Sequence, residues 1–426
     1  MELIENIPYG LAACFLNGEQ VTVTALSDRL LRVRLADEAA PETLSLRFLT
    51  VKTMRWTALT PQNWHEISRA RTRCGTELLL AVDDPAYRAE VLRALGELAA
   101  FIRLKAEGDD TLAAALTGLD TGGTVSPTLA EQKQRWFCET GCTLDGDWTL
   151  ALCLDRPDAY ERFLTMPFQN FRRDFFAGSA LDHHPLFGRP VSRLYIGNPC
   201  CPRLFPENID ALLDRCLVPG LKATIVLPPI RESRRAWLED VLERVRNSPA
   251  DEIAVNDWGT LTLVQTLPQA VLLGTQLNRR RKDPRMTRKI GFADNTGLLG
   301  KNSLNDADFA AFLKTMRVTR FEYEACPGSI AVAPGRLSLH LPFYQTNTSH
   351  ACPLASACEG RDPGLPYAEE TCDRPCLTRA LLYPDELGLV GRYNSLFGCN
   401  REILSDAAAL KSWLDQGIDR LVAELL

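Results

Sequence analysis

Cys352, Cys358, Cys372 and Cys376 fall within 25 residues, in the segment ACPLASACEGRDPGLPYAEETCDRPC that begins at Ala351. The last two form a C-x3-C pair. Gly and Pro punctuate the segment, so it reads as a loop that can gather several thiolates around one centre. Soft thiolate ligands select iron–sulfur clusters, zinc or Cu(I). The plain alternative is four unrelated small residues. Cys138 and Cys142, in RWFCETGC, are also spaced C-x3-C, but no further pair lies beside them. They read as buried small hydrophobes.

Other groups could do chemistry. Arg279 to Lys289 holds seven cationic residues. Arginine forks match carboxylates and phosphates, so this run is a candidate anion site or RNA-backbone contact, and otherwise a solvated loop. Asn256 and Asp257 end an apolar run and suit either substrate hydrogen bonding or helix capping. Glu322 and Glu324 alternate with Phe321 and Tyr323, which points one carboxylate inward as an acid/base candidate. His350, two residues before Cys352, reads as a neighbour of the thiol site or a surface residue, and His183-His184 as loop residues. The sequence contains no G-x-S-x-G and no H-E-x-x-H, so it gives proteolysis little support.

These residues need elements to position them. The chain has 426 residues, 46% hydrophobic and 24% charged, with a net charge of −6. That composition is globular and does not suit coating nucleic acid by bulk charge. No apolar run reaches membrane-spanning length, and MELIENIPYG has neither the basic nor the apolar region of a signal peptide. No membrane insertion and a cytoplasmic location are therefore expected. Reduced thiols are the norm there, which favours a metal or cluster over disulfides as the reason for the Cys-dense loop.

Three segments are expected. Residues 1–52 alternate apolar and polar (EQVTVTAL, RLLRVRLA, TLSLRFLTV) and form a small β-barrel or sheet. The pattern is faintly similar to PilZ domains, but Leu26-Ser27 is followed by Arg29, Leu30 and Leu31 rather than that family's glycine. A structural or docking module, able to meet a partner protein, is the expectation. Residues 53–145 are expected to be mostly helical, with a helix over Pro85 to Lys105 capped by Asp83-Asp84 and stopped near Gly108, and a loop over 121–126. Residues 146–426 alternate strand-like runs with amphipathic helices in eight βα-type units, plus a hairpin over Thr378 to Tyr393. This pattern predicts an α/β, TIM-barrel-like (β/α)8 domain. Strand-end loops then share one mouth, where Cys200-Cys201, Asn256-Asp257, the basic run, Glu322, Glu324 and the Cys loop converge.

The barrel half resembles the peptidase U32 family, particularly its members in oxygen-independent ubiquinone hydroxylation. The matching stretches are LYIGNPCCPR, IAVNDWG, LGTQLNRRRKDPR, NSLNDADFAAFLKTMRVTRFEYE and the Cys loop, in the family's order over about two-thirds of the chain. The resemblance implies a TIM barrel in a bacterial protein and a [4Fe–4S] cluster on Cys201, Cys352, Cys372 and Cys376, with zinc as the alternative metal. Cys201 is preferred to Cys200 because it stands four residues after Gly197. Cys352 and Cys372 enclose 19 residues, longer than the family's usual spacing, so Cys358 competes with Cys352. The family's K-x-E-G-R stretch is absent. Hydroxylating members use a dicarboxylate, prephenate, as oxygen donor, which makes Arg285 and then Arg279 the candidate carboxylate ligands. The implied function is oxygen-independent hydroxylation of a small organic substrate or RNA. The rivals are a U32-type peptidase and a non-catalytic iron–sulfur subunit of a heteromer.

Overall fold

In the computed structural model, which describes residues 4–5, 10–35, 40–73, 75–118, 144–177, 188–360, 372–383, 387–405 and 407–425, the chain forms two units. One comprises residues 1–122 with 285–295, the other residues 123–284 with 296–426.

The first unit grows from period-two patterning. Its strands are β1 (Ile4–Glu5), β2 (Ala12–Leu16), β3 (Glu19–Leu26), β4 (Leu30–Leu35), β5 (Leu44–Thr50), β6 (Arg55–Leu59), β7 (Trp64–Thr72) and β8 (Gly75–Val82). They form an antiparallel sheet ordered β6-β5-β2-β3-β4-β8-β7, with β1 on β3. Asn17 and Gly18 both take positive φ between β2 and β3, as a two-residue hairpin turn requires. In β4 and β8 every second side chain is buried, and Val33, Leu78 and Leu80 pack with Phe48. The helix Pro85–Ala106 adds Tyr87, Val91 and Ala94 to this core. Asp84 caps it by accepting from Ala86 N (2.8 Å) and Tyr87 N (3.1 Å).

The expectation of a mostly helical 53–145 region is corrected here, because β6, β7 and β8 occupy 55–82. β7 is an edge strand exposed along nearly its whole length, so it shows no apolar alternation to read. Residues 119–143, with Cys138, Cys142 and the 121–126 loop, lie outside the described residues, as does His183-His184. The segment 285–295 joins this unit through Gly291 N to Thr53 O (2.8 Å), Trp56 Nε1 to Asn295 Oδ1 (2.6 Å) and Lys289 Nζ to Val51 O (2.6 Å).

The second unit is an α/β barrel. Its strands are β9 (Thr149–Leu154), β10 (Val191–Ile196), β11 (Lys222–Leu227), β12 (Glu252–Val255), β13 (Ala270–Leu273), β14 (Val318–Glu324) and β15 (Arg336–Leu341), closed by a last strand, Arg420–Ala423. All eight neighbouring pairs are parallel. Between β15 and the closing strand the chain builds a second sheet from β16 (Phe343–Thr348), β17 (Leu381–Leu382), β18 (Leu389–Arg392) and β19 (Ser395–Cys399), ordered β16-β19-β18-β17. The closing strand is β20. The expected hairpin over 378–393 is thus part of a four-stranded antiparallel sheet, and the Cys loop is carried by this insertion.

Helices cover the barrel. Two helices follow β9, Pro157–Thr165 and Phe168–Phe176, and they are separate because Pro167 has no N–H to continue the first. Outward residues such as Leu152, Leu194, Ile225, Ile253 and Leu421 join the helices in the main core. Inward positions hold Ala151, Cys153, Tyr195, Val226, Ala254, Leu272 and Val422. Among the described residues no helix is long and apolar enough to cross a membrane.

Candidate metal centre and barrel mouth

One cavity is lined by Cys201, Cys352, Cys372 and Cys376, together with Arg203, Leu204, His350, Arg374, Pro375, Tyr393 and Asn394. Two distant stretches of sequence build it. After β10, Gly197 has φ +120°, and a Cβ there would stand 2.3 Å from Val226 O. Only glycine fits. Asn198, fully buried, then accepts from both Cys200 N and Cys201 N at 2.8 Å and donates to Asp155 O at 3.0 Å. That bracket sends the two adjacent side chains to different places. The Cys200 thiol is buried beside Gln276 and Gln345, whereas Cys201 reaches the cavity.

Gly197→Ala is accordingly expected to destabilise the barrel by more than ~2 kcal/mol, through both the close contact and the left-handed backbone. Thermal unfolding of the full chain checks this, and an unchanged midpoint would contradict it.

The Cys loop supplies the other three thiols. Cys352 caps the helix Pro353–Cys358, its sulfur accepting from Ala355 N at 3.4 Å and its thiol donating to Tyr393 O at 3.2 Å. Cys358 ends that helix. Cys372 accepts from Arg374 N at 3.4 Å, with Arg374 at φ +57°. Cys376 lies in the short 3-10 turn Pro375–Leu377 and is 6% exposed. Burial pushes its thiol up to about 12, and Cys201, Cys352 and Cys372 push in the same direction. Arg203 Nη2 donates to Cys372 O (3.2 Å), and Asn394 Nδ2 donates to Cys200 O (2.9 Å) and Ser349 O (2.7 Å). These bonds tie the two stretches together.

Four soft donors around one cavity, two of them already receiving backbone N–H groups, match what a thiolate-held metal or cluster needs. As the thiols stand, no three His, Cys, Asp or Glu side chains among the described residues form a ready metal-binding group. Cys352 and Cys372 hydrogen-bond to backbone atoms of Tyr393, Ala355 and Arg374.

The other candidate residues are placed differently. Asn256 is buried, with Nδ2 donating to Leu227 O at 2.9 Å and Oδ1 accepting from Gln276 N at 3.4 Å, so its hydrogen bonds go to backbone. Asp257 caps the helix Trp258–Leu263 through Thr260 N (2.8 Å) and Thr260 Oγ1 (2.6 Å). Glu324 pairs with Lys282 and accepts from Gln345 N at 2.6 Å. Arg279 is exposed beside the end of β13, whereas Arg285 belongs to the segment packed with the first unit. The cationic run is therefore divided between the two units.

Glu322 points into the barrel, 1% exposed, and joins a network that sequence reasoning missed. His340 Nε2 lies 2.6 Å from Glu322, and its Nδ1 lies 2.5 Å from Glu424. Tyr195 Oη donates to Glu322 at 3.2 Å and lies 3.2 Å from Ser338 Oγ. Arg420 Nη1 donates to Tyr195 Oη (2.8 Å) and Glu252 (2.7 Å), and Arg193 lies 3.1 Å from Glu252. Burial opposes the charge on Glu252, but Arg420, Arg193 and Thr224 outweigh it and hold its pKa at about 2. Burial likewise opposes protonation of His340, yet Glu424 and Glu322 raise its pKa to about 10. The signal was present in the sequence as single polar residues at alternate positions of apolar strands: Tyr195, Glu252, His340 and Arg420.

Because the folded pKa of His340 is raised, its contribution to stability is full below pH ~6.5 and is lost as pH rises toward 10. A decline on the order of a few kcal/mol over that window is expected in urea unfolding. Glu424→Gln should flatten the decline, and an unchanged slope would contradict the assignment.

No family model and no curated protein matches the chain. Among solved structures, the crystal structure of an uncharacterized Legionella protein aligns with 24% of this chain and 99% of its own, at 12% identity and a TM-score of 0.19. That likeness is too slight to identify a fold.

Proposed function

We propose that the chain is an iron–sulfur protein of the U32 type that takes part in oxygen-independent hydroxylation of a small organic substrate or RNA. Cys201, Cys352, Cys372 and Cys376 would hold a [4Fe–4S] cluster. The observation that carries this reading is the single cavity lined by four thiols from two distant stretches. When bound, such a cluster supplies electron transfer, since four thiolates leave no iron position open to substrate.

The chain's own residues suit that role. Ala355 N and Arg374 N lie within 3.4 Å of Cys352 and Cys372 sulfurs, where they offset thiolate charge. Leu204, Pro375 and the Tyr393 ring limit water at the cavity wall. Arg279, exposed beside the end of β13, is available to an anionic substrate group or an RNA phosphate. A second reading, a partner subunit without catalysis of its own, draws on β7, whose exposed edge offers a docking protein a strand to pair with.

Anaerobic purification followed by dithionite reduction tests the proposal. Broad visible absorption that bleaches on reduction, with an electron paramagnetic signal, is expected. A colourless, paramagnetically silent protein carrying zinc would overturn it.

A further inference from the structure

A second cavity opens at the same end of the barrel, lined by Cys153, Asp155, Pro199, Tyr393, Phe397 and Glu424, with Leu425 beside them. Asp155 and Glu424 directly follow the C-terminal ends of β9 and β20. This is the end of an α/β barrel where strand-end groups meet substrate.

Glu424 is the outer member of a buried triad. Its Oε1 lies 2.5 Å from His340 Nδ1, and His340 Nε2 lies 2.6 Å from Glu322. Exposure rises along the line, from 1% for the Glu322 side chain to 8% for His340 and 20% for Glu424. Behind Glu322 stand Tyr195, Ser338 and Arg420. The groups facing Glu424 across the cavity are Cys153, Asp155 and Tyr393, and the Tyr393 hydroxyl is already committed to Asp155 at 2.6 Å. An ion triad built only for stability has no need to end on a cavity, whereas a proton relay does.

We propose that this cavity is a proton-transfer site in which Glu424, relayed by His340 and backed by Glu322, exchanges a proton with a small uncharged polar ligand. In the forward direction the His340 Nδ1–H bond breaks, and the proton passes to Glu424 and from it to a heteroatom of the ligand. The imidazolium becomes imidazole, the ligand gains one proton, and no electrons move. The reverse transfer restores the imidazolium. The lining sets the ligand class. Two carboxylates, Asp155 and Glu424, repel an anion, while Pro199, Phe397 and Leu425 offer apolar walls. A small amine fits, because its nitrogen takes a full proton and the ammonium it becomes is met by both carboxylates, and the dicarboxylate implied by the U32 resemblance does not. The proposal does not depend on the metal at the thiol cavity.

The test is ring-proton exchange in the ¹⁵N-histidine-labelled full chain, read by NMR. The chain has five histidines, so His340 can be assigned by substitution. The Nδ1–H of His340 is expected to exchange with solvent at least tenfold faster than its Nε2–H. Glu424→Gln should slow the Nδ1–H at least tenfold. If that variant does not fold, Phe397→Trp, which narrows the cavity and leaves the triad intact, should slow it instead. Methylamine at high millimolar concentration should protect Nδ1–H, and acetate should not. Equal, slow exchange of both ring protons that neither variant alters would overturn the relay. Protection by acetate, or by neither probe, would overturn the ligand class.

Discussion

Arg420→Met is expected to lower the stability of the barrel unit by about 3–5 kcal/mol, because it strands Glu252 as an uncompensated buried charge. Arg420 bonds Glu252 through both Nη1 (2.7 Å) and Nη2 (3.1 Å), and Glu252 is 8% exposed. Arg193 remains at 3.1 Å but is itself buried and shared with Asp251, so it does not replace the lost fork. The double variant Arg420→Met, Glu252→Leu should recover only part of the loss, since buried Arg193 then keeps Asp251 alone, at 3.8 Å, as its acidic partner. Urea unfolding followed by tryptophan fluorescence reads the effect, with Trp148, Trp237, Trp258 and Trp413 in the barrel unit. A loss below ~1 kcal/mol would mean that the charged layer inside the barrel is hydrated rather than sealed.

The second large effect concerns the thiols. Cys376→Ala should abolish bound iron, because Cys376 is the most buried of the four thiols that line the cavity. Cys201→Ser should do nearly the same. Cys358→Ala should keep most of the iron, since Cys358 ends the helix whose start Cys352 caps. Cys200→Ala should also keep it, because that thiol lies beside Gln276 and Gln345. Iron determination on the anaerobically purified variants separates the pairs. Loss in Cys200→Ala with retention in Cys201→Ser would reverse the assignment made on the spacing from Gly197.

The barrel was legible because its strands are buried on both faces and read as short apolar runs between helical segments. KATIVL and TLALCL need no tertiary information to be seen. The convergence of Cys201 with the Cys loop was legible as well, since strand-end loops of a parallel barrel share one face. The sheet between 55 and 82 was not. WHEISRART is polar on both faces as an edge strand, and only its pairing with β8 makes it a strand. Asn256 and Asp257 read equally as substrate groups or as a helix cap, because a polar pair at a strand end has either form. Their bonds to Leu227 O and Thr260 show that the same form serves backbone locking and capping. Glu424 was missed for a different reason. Its partner His340 lies 84 positions away, and nothing local marks a carboxylate in VAELL as the end of a relay.

The central claim, that the four-thiol cavity holds a [4Fe–4S] cluster, is tested most directly by counting iron, acid-labile sulfide and zinc in the anaerobically purified full chain. Four iron and four sulfide per chain, with zinc at background, is the predicted result. One zinc per chain and no sulfide would contradict it.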